Sequence, residues 1–259
     1  EKYNDPIIIA RKEIETEARK QIGEAADAMQ QALGIKKIDK QRLLEQKDEI
    51  QSYVEKILGE GEKEKAKRIT DVLTRQLVSA ERDIRARIQK EREYAVAKIG
   101  KRLAQLKDIS EVQEELSQLA QTPTIISVPI PDLTDIKDLT TEQQENVIAS
   151  RLSQTADNYF DESRPSKTET PKDQPNLELG KTIEPLQIKS IDELKNAVDK
   201  VQNYWVRRNQ AEQLKEELKK VPLKNASPIT LSNLQSAASL AGLTITPEEL
   251  EQKTGDNYQ

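Results

Sequence analysis

The 259-residue chain contains no histidine and no cysteine. It therefore has no Cys–His or Ser–His–Asp nucleophile system, no thiolate or imidazole metal site, no disulfide and no histidine pH switch. Aromatic residues make up only 3% of the chain, with one tryptophan and one phenylalanine, and glycine occurs eight times. A β-sandwich or barrel needs frequent glycine turns and aromatic or β-branched strands, and an α/β fold needs glycine-rich loops after its strands, so the composition argues against both. The longest apolar run near the start is Ile7 to Ala10, far short of the ~20 residues of a membrane-spanning helix. Carboxylate, lysine, tyrosine and hydroxyl chemistry remain. No P-loop, dinucleotide fingerprint, calcium loop or carboxylate pair stands out from the 46 acidic residues. The expectation is a non-enzyme without metal or cofactor. The chain begins at Glu1, as expected of a trimmed or processed protein or a part of a longer one, and its expected location is the cytoplasm or the inside of a virion or other large particle.

What the chain does have is charge, 34% Asp, Glu, Lys and Arg, arranged with helical periodicity. The predicted fold class is all-α, with long amphipathic helices in a bundle or a coiled-coil-like rod. Asn4-Asp5-Pro6 supplies a cap and a first-turn proline, and Ile14, Ala18, Ile22, Ala25, Met29 and Leu33 then recur every three or four residues up to Gly34. A second helix is predicted from about Asp39 to Gly59-Glu60-Gly61.

The third helix, Glu62 to about Lys107, carries a longer pattern. Ala66, Ile69, Leu73, Leu77, Ala80, Ile84, Ile88, Glu91, Ala95, Ile99, Arg102 and Leu106 step by three, four and four, and all but Glu91 and Arg102 are apolar. Eleven residues in three turns keeps the stripe nearly straight, with a weak right-handed drift, where heptads would give a left-handed coil. The ~46 residues correspond to a rod of about 70 Å. Such a stripe is either the buried face of a helix in an antiparallel bundle or the seam of a parallel homo-oligomeric stalk. Its apolar members Ala66, Ile69, Leu73, Leu77, Ala80, Ile84, Ile88, Ala95, Ile99 and Leu106 are the expected bundle or oligomer seam.

Four regions follow from the remaining pattern: a long-helix bundle or rod (1–121), an extended arm plus helix (122–160), a polar flexible linker (161–189) and a small helical module (190–259). Pro129 and Pro131 bar the arm from a central strand, and Ile125, Ile126, Val128 and Ile130 are expected either to contact a partner or to line an ordinary ordered loop. Capping-box patterns open helices at Ser110/Gln113, Thr140/Gln143 and Ser190/Glu193. In the module, Ile191, Leu194, Val198, Val201 and Trp205 form a heptad-like seam, Trp205 being read as core or as an interface anchor. Ala237 to Leu243 looks like the start of a helix-turn-helix, but Pro247 and an acidic second helix favour a compact helical hairpin.

The net charge of −5 conceals an asymmetry. Residues 61–107 hold 14 basic and 7 acidic side chains, and residues 108–185 hold 6 and 16. Arg82, Arg85, Arg87, Lys90, Arg92, Lys98, Lys101 and Arg102 are therefore candidate phosphate contacts. They read equally as a solvated face laced with four-residue pairs such as Glu81 with Arg85, Asp83 with Arg87 and Glu64 with Arg68. Only Tyr94 interleaves to stack a base.

By general character, not by any motif, the chain resembles helical structural proteins of large assemblies, such as internal, neck or fibre-stalk components of tailed-phage particles. The expected function is that of a structural or assembly protein working as a helical homo-oligomer with other proteins of a large complex. A nucleic-acid-associated protein using helix 61–107 and a helical adaptor for a partner protein are the alternatives.

Overall fold

The computed structural model describes residues 6–37, 40–59, 61–120, 127–158, 176–178, 183–222, 227–244, 246 and 248–249. The fold is all-α. Its helices are α1 (Pro6–Ala32), α2 (Lys40–Leu58), α3 (Lys63–Gly100), α4 (Gln113–Ala120), α5 (Thr141–Asn158), α6 (Ile191–Lys219) and α7 (Pro228–Leu240). An antiparallel ribbon joins two three-residue strands, β1 (Ser127–Pro129) and β2 (Asn176–Glu178). No helix among the described residues is long and apolar enough to cross a membrane. The chain divides into two compact units: unit 1 comprises residues 1–32 and 191–259, and unit 2 comprises residues 33–190. The first helix, expected to belong with the two that follow it, thus joins the C-terminal helices.

Unit 2 is built on α3, which packs against α2 and α5. Ala66, Ile69, Leu73, Leu77, Ala80, Ile84, Ile88 and Ile99 of the expected stripe are all buried. The helix is shorter than its periodicity suggests, 38 residues or about 57 Å, because it stops at Gly100 and gives way to a short 3₁₀ turn at Leu103–Gln105. Leu106 therefore lies outside it, half-buried. Past Ile88 the buried line shifts by one residue. It runs through Arg92 and Val96 to Ile99, leaving Glu91 exposed and Ala95 half-buried. The cause is Arg92, whose side chain has an internal role that no hydropathy pattern assigns to arginine. Since α2 and α5 cover the stripe within one chain, it requires no second copy.

The segment after α4 is anchored by its own apolar residues. Ile130, Leu133 and Ile136 are buried, and Gln144 of α5 donates to the Ile136 carbonyl at 2.8 Å while accepting from Arg68 of α3 at 2.6 Å. Arg151 donates to the Asp135 carboxylate at 2.8 Å and to the Asp132 carbonyl. That ion pair holds the Asp135 carboxyl below its ordinary range. Ile130 is accordingly spent inside its own chain and is not free for a partner. Val128 lies in β1 opposite Leu177, and Ile125 and Ile126 fall outside the described residues. Residues 183–189, assigned by composition to the linker, are part of unit 2, with Ile183, Leu186 and Ile188 buried. The predicted Thr140/Gln143 capping box is present, its two bonds measuring 3.0 and 3.4 Å. The box expected at Ser110 forms two residues earlier. There Asp108 accepts from the Ser110 amide and Glu111 accepts from the Asp108 amide.

In unit 1, Ile7, Ile14 and Ala18 from the first half of α1 share a core with Leu214 and Leu218 from the last turns of α6. The two helices therefore run antiparallel. Leu234, Ala237 and Ala238 of α7 close the core, and the small side chains of the two alanines let α7 approach closely. α7 begins with Ser227, which accepts from the Thr230 amide at 3.2 Å, and with Pro228. It ends where Gly242 adopts φ 71° and the Leu243 amide reaches back to the Ala238 carbonyl at 2.9 Å. Gln21 of α1 donates to the Ala241 carbonyl at 2.6 Å, tying α1 to that end. α6 and α7 pack together with α1 laid against them, whereas the second helix of the hairpin expected after Gly242 lies largely outside the described residues.

Candidate functional site

Unit 2 begins and ends in two chain segments that lie side by side. The Glu184 amide donates to the Gly34 carbonyl at 2.7 Å, and Ile35 pairs antiparallel with Ile183. Arg92 projects from α3 into this junction. Its Nη1 donates to the Leu33 carbonyl at 2.5 Å and to the Glu184 carbonyl at 2.7 Å. Arg85, two turns earlier, donates to the Lys36 carbonyl at 2.7 Å, and Lys36 pairs with the Glu184 carboxylate. Two arginines of α3 thus hold the chain where it enters and leaves unit 2, in an arrangement we call the clasp. Gly34 sits at φ 72°, and a Cβ there would lie 2.8 Å from the Glu184 carbonyl oxygen and 3.0 Å from Arg92 Nη1.

Gly34→Ala is expected to destabilise the protein by about 2–3 kcal/mol, from strain and displacement of the clasp together. Gly59 also has a positive φ, 94°, but no neighbour within 4 Å of its would-be Cβ. Gly59→Ala should therefore show only the conformational part, about 1 kcal/mol. Urea midpoints of the two variants check the difference.

Arg92 belongs to a buried polar line. Thr70, Glu81 and Arg92 recur every eleven residues on α3, and each is 0% exposed. Thr70 Oγ1, both Glu81 carboxylate oxygens, and Arg92 Nε and Nη2 have no hydrogen-bond partner. The nearest cation to Glu81 is Arg85, whose Nε lies 4.0 Å away, beyond hydrogen-bonding reach. Burial pushes the Glu81 carboxyl up, opposed only by Arg85. Burial likewise lowers the guanidinium of Arg92, which nevertheless keeps its charge.

The eight basic candidates divide evenly. Arg85 and Arg92 grip backbone carbonyls, Arg87 pairs with Asp157 at 2.7 Å, and Arg102 pairs with Glu115 at 2.5 Å. Arg92, being fully buried, is removed from any phosphate-binding face. Arg82, Lys90, Lys98 and Lys101 are exposed without an acidic partner among the described residues. Tyr94, 72% exposed, lies between Lys90 and Lys98 on the same side of the helix. The pairing of Arg87 with Asp83 and of Arg68 with Glu64 gives way to the longer-range contacts with Asp157 and Gln144.

The C-terminal seam is buried at Leu194, Val198 and Val201 and half-buried at Ile191, but Trp205 is 41% exposed and Val206 51% exposed. From Val201 to Leu214 the buried flank of α6 moves roughly 140° around the helix, so Trp205, which continues the first flank, is left at the surface. It is not loose there. The Arg208 guanidinium lies over its ring at 5.1 Å, and Tyr204 meets it edge-on at 5.6 Å.

Among the described residues, no group of three or more acidic side chains is placed to hold a metal ion. The sequence pattern placed Trp205 in the buried seam of α6, which its 41% exposure contradicts, and gave no sign of the clasp beyond Gly34 and the apolar Ile183. Compared with protein-family models, with curated proteins and with solved structures, the chain matches none.

Proposed function

We propose that this protein is a non-enzymatic structural or assembly component that works as a multimer within a larger complex, docking through the aromatic face of α6. The observation that carries this reading is the exposure of Trp205, the chain's one tryptophan, beside Tyr204, Val206 and Arg208. Tryptophan, tyrosine and arginine are the residues that dominate binding energy at protein interfaces. A ring already braced by a cation and a second ring loses little rotamer freedom on docking. No acidic residue occurs from Lys200 to Ala211, and the carboxylate that follows on the helix, Glu212, is paired with Lys215. The stripe on α3 adds nothing to this argument because it is filled internally. The nucleic-acid reading, for its part, loses half of its cations to partners within the chain.

Sedimentation velocity at high micromolar concentration tests the proposal. The wild-type chain is expected to sediment as a multimer, and Trp205→Ala to fall to monomer with unchanged helical circular dichroism, a loss of ~2 kcal/mol or more per contact. A compact wild-type monomer at that concentration overturns it. Where the host is a tailed phage, the mass and shape of the particle carrying the chain identify its place as an internal, neck or fibre-stalk part.

A further inference from the structure

Unit 1 is made from two pieces of chain, residues 1–32 and 191–259, connected through unit 2. For α1 to meet α6 and α7, the ends of a segment as long as residues 33–190 must be brought together, and the entropy of closure grows with that length. The clasp does this work in advance. Once the Glu184 amide is bonded to Gly34, Ile35 lies opposite Ile183 and Arg92 holds the Leu33 and Glu184 carbonyls, only residues 185–190, of which Leu186 and Ile188 are themselves buried in unit 2, separate the junction from α6. Loop-closure scaling then favours the meeting of α1 and α6 by on the order of 100-fold over an open chain.

We propose that the clasp is a conformational latch: unit 2 folds and shuts it first, and unit 1 holds together only while it is shut. The latch is built to be releasable. One nitrogen of Arg92 serves both carbonyls, while Nε and Nη2 are buried without partners. Lys36 and Glu184, which pair across the junction, are both about half exposed. Opening it frees α1 from the apolar surface of Leu214, Leu218 and Leu234 on which it is laid.

The reporter and the substituted residues lie in different units. Trp205, the chain's only tryptophan, lies in unit 1, whereas Arg92, Ile35 and Ile183 lie in unit 2. Urea unfolding of the full chain is followed by Trp205 fluorescence. Arg92→Met is expected to lower the folded-to-unfolded ratio of unit 1 by on the order of tenfold or more. Ile35 and Ile183 form an antiparallel pair flanked by the Glu184–Gly34 bond, with the ~4.5 Å Cα separation of a non-hydrogen-bonded pair, which suits a disulfide. In a chain otherwise without cysteine, oxidised Ile35→Cys/Ile183→Cys is expected to restore the Trp205 transition in the Arg92→Met background. In the otherwise wild-type chain it is expected to move that transition to higher urea, so the test survives even where Arg92→Met fails to fold. An unchanged Trp205 transition on locking the wild-type chain overturns the latch. So does a Trp205 transition indifferent to Arg92→Met while unit 2 is weakened.

Discussion

Arg92→Met is expected to destabilise the fold by about 2–4 kcal/mol, measured as a fall in urea midpoint at unchanged m-value. Two opposing effects decide the size. Removing the guanidinium relieves the burial of a cation that has no carboxylate beside it, a gain that by itself can reach several kcal/mol. Against it, the Leu33 and Glu184 carbonyls lose bonds to a charged donor, worth ~1.5–3 kcal/mol each, and the buried Leu33 carbonyl is left without replacement. The loss prevails because methionine fills the space but donates nothing. Arg92→Lys is expected to recover little, since an ammonium lacks the planar fork and reach of a guanidinium. A neutral or stabilising Arg92→Met would mean that the carbonyls find other donors and that the clasp is incidental.

Glu81 has the same burial and the opposite expectation. No donor reaches either of its oxygens, so Glu81→Leu removes a desolvated group without stranding a partner and is expected to stabilise by about 1–4 kcal/mol at neutral pH. The pH dependence has a definite sign. Burial raises the folded-state carboxyl above its ordinary value, so between the two values the native chain binds more protons than the unfolded one. The stability contributed through Glu81 is fully present below the ordinary glutamate range and is lost as pH rises to the raised folded value. Glu81→Gln, which keeps the shape and cannot ionise, should flatten that decline. Thermal unfolding across pH 4–8 checks both variants. A destabilised Glu81→Leu, or a wild-type chain whose decline Glu81→Gln leaves intact, would contradict the assignment.

Much of the local structure was legible because it depends on local chemistry. Gly34, Gly59 and Gly61, the stops read from the sequence, all adopt positive φ, as does Gly242 at the end of α7. The Thr140/Gln143 box needs only a hydroxyl and an amide three residues apart. The eleven-residue stripe was legible to Ile88, since up to there apolar side chains alone mark the buried face. It failed at Arg92, where the buried group is a cation whose partners are carbonyls that carry no sequence signature. Periodicity also names the face a helix buries without naming its partner, so the pairing of α1 with α6 across the whole of unit 2 was hidden. Trp205 was misplaced for a related reason. The seam of α6 was extended along one flank, whereas Leu214 and Leu218 bury another. The charge asymmetry was correctly counted, but a count cannot distinguish Lys90, exposed, from Arg85, committed to a carbonyl.

The most direct test of this account is native-state hydrogen exchange at the Glu184 amide. Its side chain is exposed, and it lies outside any helix, so without the clasp its amide would exchange at the rate of an open loop. The clasp predicts protection comparable to that of core amides of α3, from the 2.7 Å bond to the Gly34 carbonyl, and loss of that protection in Arg92→Met. A Glu184 amide exchanging as free chain in the wild-type protein would contradict the account.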